Sequence, residues 1–153
     1  MERALIPPTP NLETCVLRIG NVAGADQLLS NLHVQREPLQ LDVFDDNRSP
    51  ARPYIGPRAL GEIISALMAS PKALPHALNV SLSGHIEMRA LLQAWNFYAQ
   101  HPIEWHEVPA SDNAVPVVGF DTNALSTYVD LPNSTNPGDF IIRDLRAYQE
   151  TIN

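Results

Sequence analysis

Cysteine, basic charge and long apolar runs are all scarce in this 153-residue chain, and each scarcity removes a class of function. The one cysteine, Cys15, can form no internal disulfide. Its place in the apolar run CVLRI marks it as a small buried hydrophobe in a reduced compartment. A catalytic thiol would need a basic, partly exposed setting. Ten Lys and Arg stand against 17 Asp and Glu, for a net charge of −7. Without a basic cluster to release counterions from phosphates, an extended nucleic acid is a poor partner. No stretch approaches the ~20 apolar residues that cross a bilayer, and MERALIPPTPN has no apolar signal core. The expectation is a cytoplasmic protein with no membrane partner. Neither the dinucleotide fingerprint Gly-x-Gly-x-x-Gly nor a Gly-Lys-Ser/Thr phosphate loop occurs.

What is present reads as a folded chain. A hydrophobic fraction of 44% against 18% charged residues suits one globular core rather than disorder. Residues 1–14, with Pro7, Pro8 and Pro10, read as an extended arm, because proline removes donors and fixes φ. Residues 15–153 read as a single α/β domain.

TCVLRIG, ended by Gly20, is the first expected strand, and VAGADQLLSNLH, with Val22, Ala25, Leu28, Leu29 and Leu32 on one face, the first helix. LQLDVF alternates as a second strand, and DDNRSPARPYIGP reads as a turn-rich loop. Pro57 then opens a second helix with Leu60, Ile63, Ile64, Leu67 and Met68 on its apolar face. ALNVSLS is a third strand. A third helix, His85 to Ala99, turns Ile86, Ala90, Leu91, Trp95 and Tyr98 inward. PIEWHEV and AVPVVGF are the fourth and fifth strands, the latter at an edge because of Pro116. Ile141, Leu145, Tyr148 and Ile152 fit a closing helix, although FIIRDL also reads as a strand. Strands alternating with helices predict an α/β fold, a three-layer Rossmann-like sandwich on a mainly parallel sheet of about five strands.

Ligands of such sheets bind beyond the carboxyl ends of the strands. Two of those ends, GNVAG and SGH, carry small polar residues that lead into an expected helix. The free N–H groups of a helix start and its positive dipole end accept a phosphate or carboxylate. The candidate ligand-binding residues are therefore Gly20, Asn21, Ser83 and Gly84, with Arg52 and Arg58 as charge partners and His85 as the acid or base. A plain helix cap at Ser83 explains the second corner equally well. A hydrolase serine is not indicated, because Gly-x-Ser-x-Gly is absent. His101, Glu104, His106 and Glu107 lack metal-ligand spacing, so no metal is expected; Asp42, Asp45 and Asp46 read as a solvated turn.

VVGFDTNALSTYVD, Val117 to Asp130, resembles the opening of PIN-domain nucleases, an apolar strand followed by Asp-Thr-Asn and a helix. The resemblance implies a catalytic magnesium or manganese held by Asp121 with further downstream carboxylates. It covers a tenth of the chain and offers no position for those carboxylates, so the activity is not carried over.

Two functions fit these observations. One is a domain that binds an anionic small molecule, a nucleotide or phosphorylated metabolite, as a sensor or modest enzyme. The other is a non-enzymatic interaction or accessory module that contacts a protein partner or a second copy of itself through its arm, Trp95, Trp105 and C-terminal segment. A homodimer is compatible with either.

Overall fold

The computed structural model describes residues 14–32, 38–132 and 134–152; all but the last residue of the expected arm lies outside them. In chain order the elements are β1 (Val16–Ile19), β2 (Asn21–Val22), α1 (Gln27–Asn31), β3 (Leu39–Val43), β4 (Ala51–Arg52) and β5 (Tyr54–Ile55). Then come α2 (Pro57–Ala69), β6 (Ala77–Val80), β7 (Ile86–Glu87), α3 (Met88–Tyr98), β8 (Trp105–Pro109), one 3-10 turn at Leu125–Thr127 and α4 (Pro137–Ile152). The α/β class holds. The single sheet of about five strands does not appear among the described residues, where the strands form four two-stranded ladders. β1 with β6, β2 with β5 and β3 with β8 are parallel, and β4 with β7 is antiparallel.

The breaks have local causes. A side chain at Gly20, between β1 and β2, would put its Cβ 2.8 Å from the Pro53 carbonyl oxygen. Pro53, between β4 and β5, has no N–H with which to continue a ladder. The expected fifth strand reduces to one bridge, in which Ala51 donates to Pro116 O and Val118 donates to Ala51 O. The stretch from Ser49 to Gly56, expected as a loop, is nearly all buried and carries two strands. Its adjacent side chains part in the manner of a strand. Tyr54 joins a core with Leu41, Leu82, Leu91, Leu92, Ile141 and Ile142, while Ile55 joins another with Ile63, Leu67, Leu78, Val80 and Leu125.

The helices differ from expectation at their starts. Val22 belongs to β2 and Gly24 turns with φ +82°, so α1 begins only after Asp26. Ile86 and Glu87 are taken by β7, which moves the start of α3 from His85 to Met88. α2 begins at Pro57 as expected and buries Ala59, Ile63 and Leu67, leaving Met68 82% exposed. The closing segment is a helix and not a strand; Ile141, Ile142 and Leu145 face the core, while Tyr148 and Ile152 are exposed.

α4 also holds the start of α2. The N–H of Arg58 donates to Asp144 Oδ2 at 3.0 Å, and a Cβ at Gly56 would fall 2.0 Å from that oxygen. Gly56→Ala must displace the carboxylate and should lower stability by about 1–3 kcal/mol. Gly61→Ala, with open space at its Cβ inside α2, should instead raise it by up to about 1 kcal/mol. Thermal denaturation of the two variants checks both signs. Burial raises the Asp144 pKa above its ordinary value despite the N–H groups of Arg58 and Ala59. Folding therefore shifts its balance toward the protonated form relative to the unfolded chain, and this contribution to stability is lost as pH rises through the folded pKa. Asp144→Asn should flatten that component at and above the ordinary carboxylate range, measured as the pH dependence of the melting temperature.

Candidate ligand-binding site

The ladders bring several polar groups around Tyr54. The register of β2 on β5 sets Asn21 opposite Tyr54, and β4 places Arg52 two residues before it. The Tyr54 ring is buried, and its hydroxyl donates to Asp26 Oδ1 at 3.1 Å. The same oxygen accepts the N–H groups of Leu28 and Leu29 and so caps α1, while Oδ2 accepts from Gly24 N–H. Burial, the Asp26 charge and the hydrogen bond to it push the phenol well above its usual pKa; the Asn21 side chain and the Arg52 charge act in the other sense. Tyr54 therefore stays protonated near neutrality and acts as a donor, not a base. Arg52 Nη1 donates to Ala51 O at 2.8 Å, and the rest of its guanidinium keeps further donors.

Each expected site residue has a definite place. Gly20 lies between Pro53 and the buried Ser81, so its missing side chain answers to packing. Asn21 N–H donates to Pro53 O at 2.8 Å. Ser83, Gly84 and His85 form an exposed turn between β6 and β7, with Gly84 at φ +81°. Ile86 pairs with Arg52, so this turn ends the β4–β7 ladder next to Arg52. Arg58 stands apart, exposed on α2 with Asp144 as its neighbour.

No helix starts at either polar corner, and Ser83 caps none; Gly20 leads into β2 and His85 into β7. The helix starts that do exist have acceptors of their own. Asp26 serves α1 and Asp144 serves α2. In α3, Met88 N–H goes to Pro50 O and Arg89 N–H to Ser49 Oγ. In α4, Asp139 N–H goes to Asn136 Oδ1. An anion at this edge would thus be held by side chains, with Arg52 and Asn21 foremost, rather than by a helix dipole.

Several other charged groups pair within the fold. Arg48 donates to Asp46 and holds that carboxyl below its ordinary pKa. Arg89 pairs with Glu107 at 2.8 Å and donates to Asn47 O. Among the described residues no three His, Cys, Asp or Glu side chains come together as a metal site. The stretch from Val117 to Asp130 holds the lone bridge and the 3-10 turn, not a strand followed by an α-helix, and Asp121 Oδ1 accepts the N–H of Asn123. Cys15 is half-buried, and burial raises its thiol pKa, away from the reactive range. Among the described residues no helix is long and apolar enough to cross a membrane. Asp26 and Tyr54 were not singled out from the sequence. The readable signal was Asp26 directly before QLLSN, a helix-cap pattern.

No protein-family model and no curated protein matches the chain. Solved structures do resemble it. UDP-glucuronic acid 4-epimerase from Bacillus cereus, in complex with UDP-glucuronic acid and NAD, superposes with a TM-score of 0.64 at 12% identity, over 93% of this chain and 46% of that one. UDP-glucose 4-epimerase from Bifidobacterium longum, with NAD+ and UDP, gives 0.63 at 17% identity, over 94% and 50%. TunA, an NAD-dependent NDP-hexosamine 5,6-dehydratase, gives 0.63 at 17% identity, over 90% and 46%. The chain spans about half the length of these structures. At such identities the likeness shows the fold, which is Rossmann-like α/β.

Removing the Tyr54 hydroxyl by Tyr54→Phe should lower stability by about 1 kcal/mol, because Asp26 still caps α1. Asp26→Ala should cost more, about 2 kcal/mol, because it uncaps α1 and orphans a buried hydroxyl. Urea unfolding of the two variants measures the difference.

Proposed function

We propose that this chain binds an anionic small molecule of the nucleotide or nucleotide-sugar type at the corner formed by Asn21, Arg52 and Tyr54. The convergence of Asn21 and Arg52 on the buried Tyr54–Asp26 pair carries this reading, since it sets a cation and an amide together at the carboxyl end of β1. The Ser83-Gly84-His85 turn stands beside Arg52 and supplies further donors, with His85 as the acid or base of any reaction there. The structural neighbours support the ligand class: they hold UDP, UDP-glucuronic acid and NAD. Arg58 is at most a peripheral contributor, given its place beside Asp144.

The test is thermal unfolding of the chain against UDP, UDP-glucose, a sugar phosphate and inorganic phosphate. At one hundred times its Kd a true ligand adds about 2.7 kcal/mol, a shift of several degrees in a domain of this size. Arg52→Ala and Asn21→Ala should abolish the shift, and Arg58→Ala should leave most of it. A flat panel, or a shift indifferent to Arg52, would overturn the reading.

A further inference from the structure

Solved structures that share this fold hold NAD, and a dinucleotide needs a seat for its pyrophosphate. In dinucleotide-binding α/β folds the seat is a strand-to-helix turn. Glycines there let the backbone approach the phosphates, and the first N–H groups of the helix face them. The first such turn of this chain, from Gly20 to Asp26, does not fit the group. The space beside Gly20 is filled, since a Cβ would lie 2.8 Å from the Pro53 carbonyl oxygen and 3.2 Å from the Ser81 Cβ. The space beside Gly24 is filled by α4, whose Leu145 Cδ1 would lie 2.8 Å from a Cβ. The N–H groups that open α1 are taken by a carboxylate of the chain itself. Asp26 Oδ1 accepts from Leu28 and Leu29, and Oδ2 accepts from Gly24 in the turn. The buried Tyr54 holds that carboxylate in place through its hydroxyl. The turn from β5 into α2 is closed in the same way. Pro57 has no N–H, and Arg58 N–H donates to Asp144, against which Gly56 is packed.

We propose that the Asn21–Arg52 corner takes a nucleoside diphosphate and refuses a dinucleotide, because Asp26 and Leu145 fill the place a dinucleotide pyrophosphate needs. This selectivity rests on the nucleotide-type reading above and narrows its ligand class. The terminal phosphate of a nucleoside diphosphate has several unesterified oxygens, which suit the paired donors of the Arg52 guanidinium and the Asn21 amide. NAD is esterified at both ends of its pyrophosphate and depends on the backbone seat that is filled here. Gly84 differs from Gly20 and Gly24. Nothing lies within 4 Å of a Cβ there, so the exposed turn beside Arg52 leaves room for the nucleoside. An amide and a guanidinium grip phosphate rather than a base, which puts ADP on the same footing as UDP.

Calorimetric titration of the full chain with UDP, ADP and NAD provides the test. UDP and ADP should bind with similar affinity and lose their binding heat in Arg52→Ala. NAD should bind at least about tenfold more weakly than either. NAD binding within about tenfold of UDP and ADP, or NAD binding that survives Arg52→Ala, would overturn the proposal and leave the nucleotide reading standing. Refusal of ADP along with NAD would trace the selectivity to the base and overturn the proposal as well. No binding of UDP, ADP or NAD would overturn the nucleotide reading itself, and the selectivity with it.

Discussion

The stretch from Ser49 to Gly56 is the strip on which the rest of the chain is hung. Its carbonyls are taken one after another: Pro50 by Met88 N–H, Ala51 by Val118, Pro53 by Asn21, Tyr54 by Leu82, Ile55 by Ala23 and Gly56 by Leu60. Two prolines make it mainly an acceptor, since neither has an N–H to satisfy. The strip also separates the two apolar clusters, with Tyr54 on one side and Ile55 on the other. Burying so much backbone is tolerable only because these groups find partners.

The same strip explains the chemistry at the edge. It carries Arg52 and Tyr54, and its hydrogen bond to Asn21 fixes the third member of the cluster. It also uses up a helix start, since Ser49 and Pro50 accept the first N–H groups of α3. With Asp26, Asp144 and Asn136 engaged at the other helices, the positive charge at the proposed site would come from the Arg52 guanidinium. A guanidinium offers directional, paired donors, which favour planar or tetrahedral anions over a diffuse negative field.

Much of the fold was legible where periodicity or alternation ran for several residues. LQLDV, VLRI and ALNV fold as strands, Pro57 starts α2, and the spacing of Ile141 and Leu145 marks the buried face of α4. The strip itself was not, because two-residue strands separated by proline have no period to detect and look like turns. The helix expected at His85 failed for a related reason: Ile86 and Glu87 satisfy either pattern, and the Ala51–Arg52 strand claims them. At the site, Asn21 could be named as a polar residue after a strand end, and Arg52 as a cation in the loop before α2. Tyr54 and Asp26 are 28 positions apart, and only the β2–β5 pairing brings them together.

The acceptor strip also bears on how the chain folds. Its donors come from Asn21 and Ala23 on one side in sequence and from Leu82, Met88 and Val118 on the other. Each of those bonds closes a loop of 28 residues or more, and loop closure must precede the stabilisation it brings. The helices can form early from local contacts, but the strip is completed only when distant segments arrive together. Folding should accordingly be slower than the helical content suggests. The polar edge at Asn21 and Arg52 would then assemble in the last steps, as a by-product of closing the backbone around Pro53.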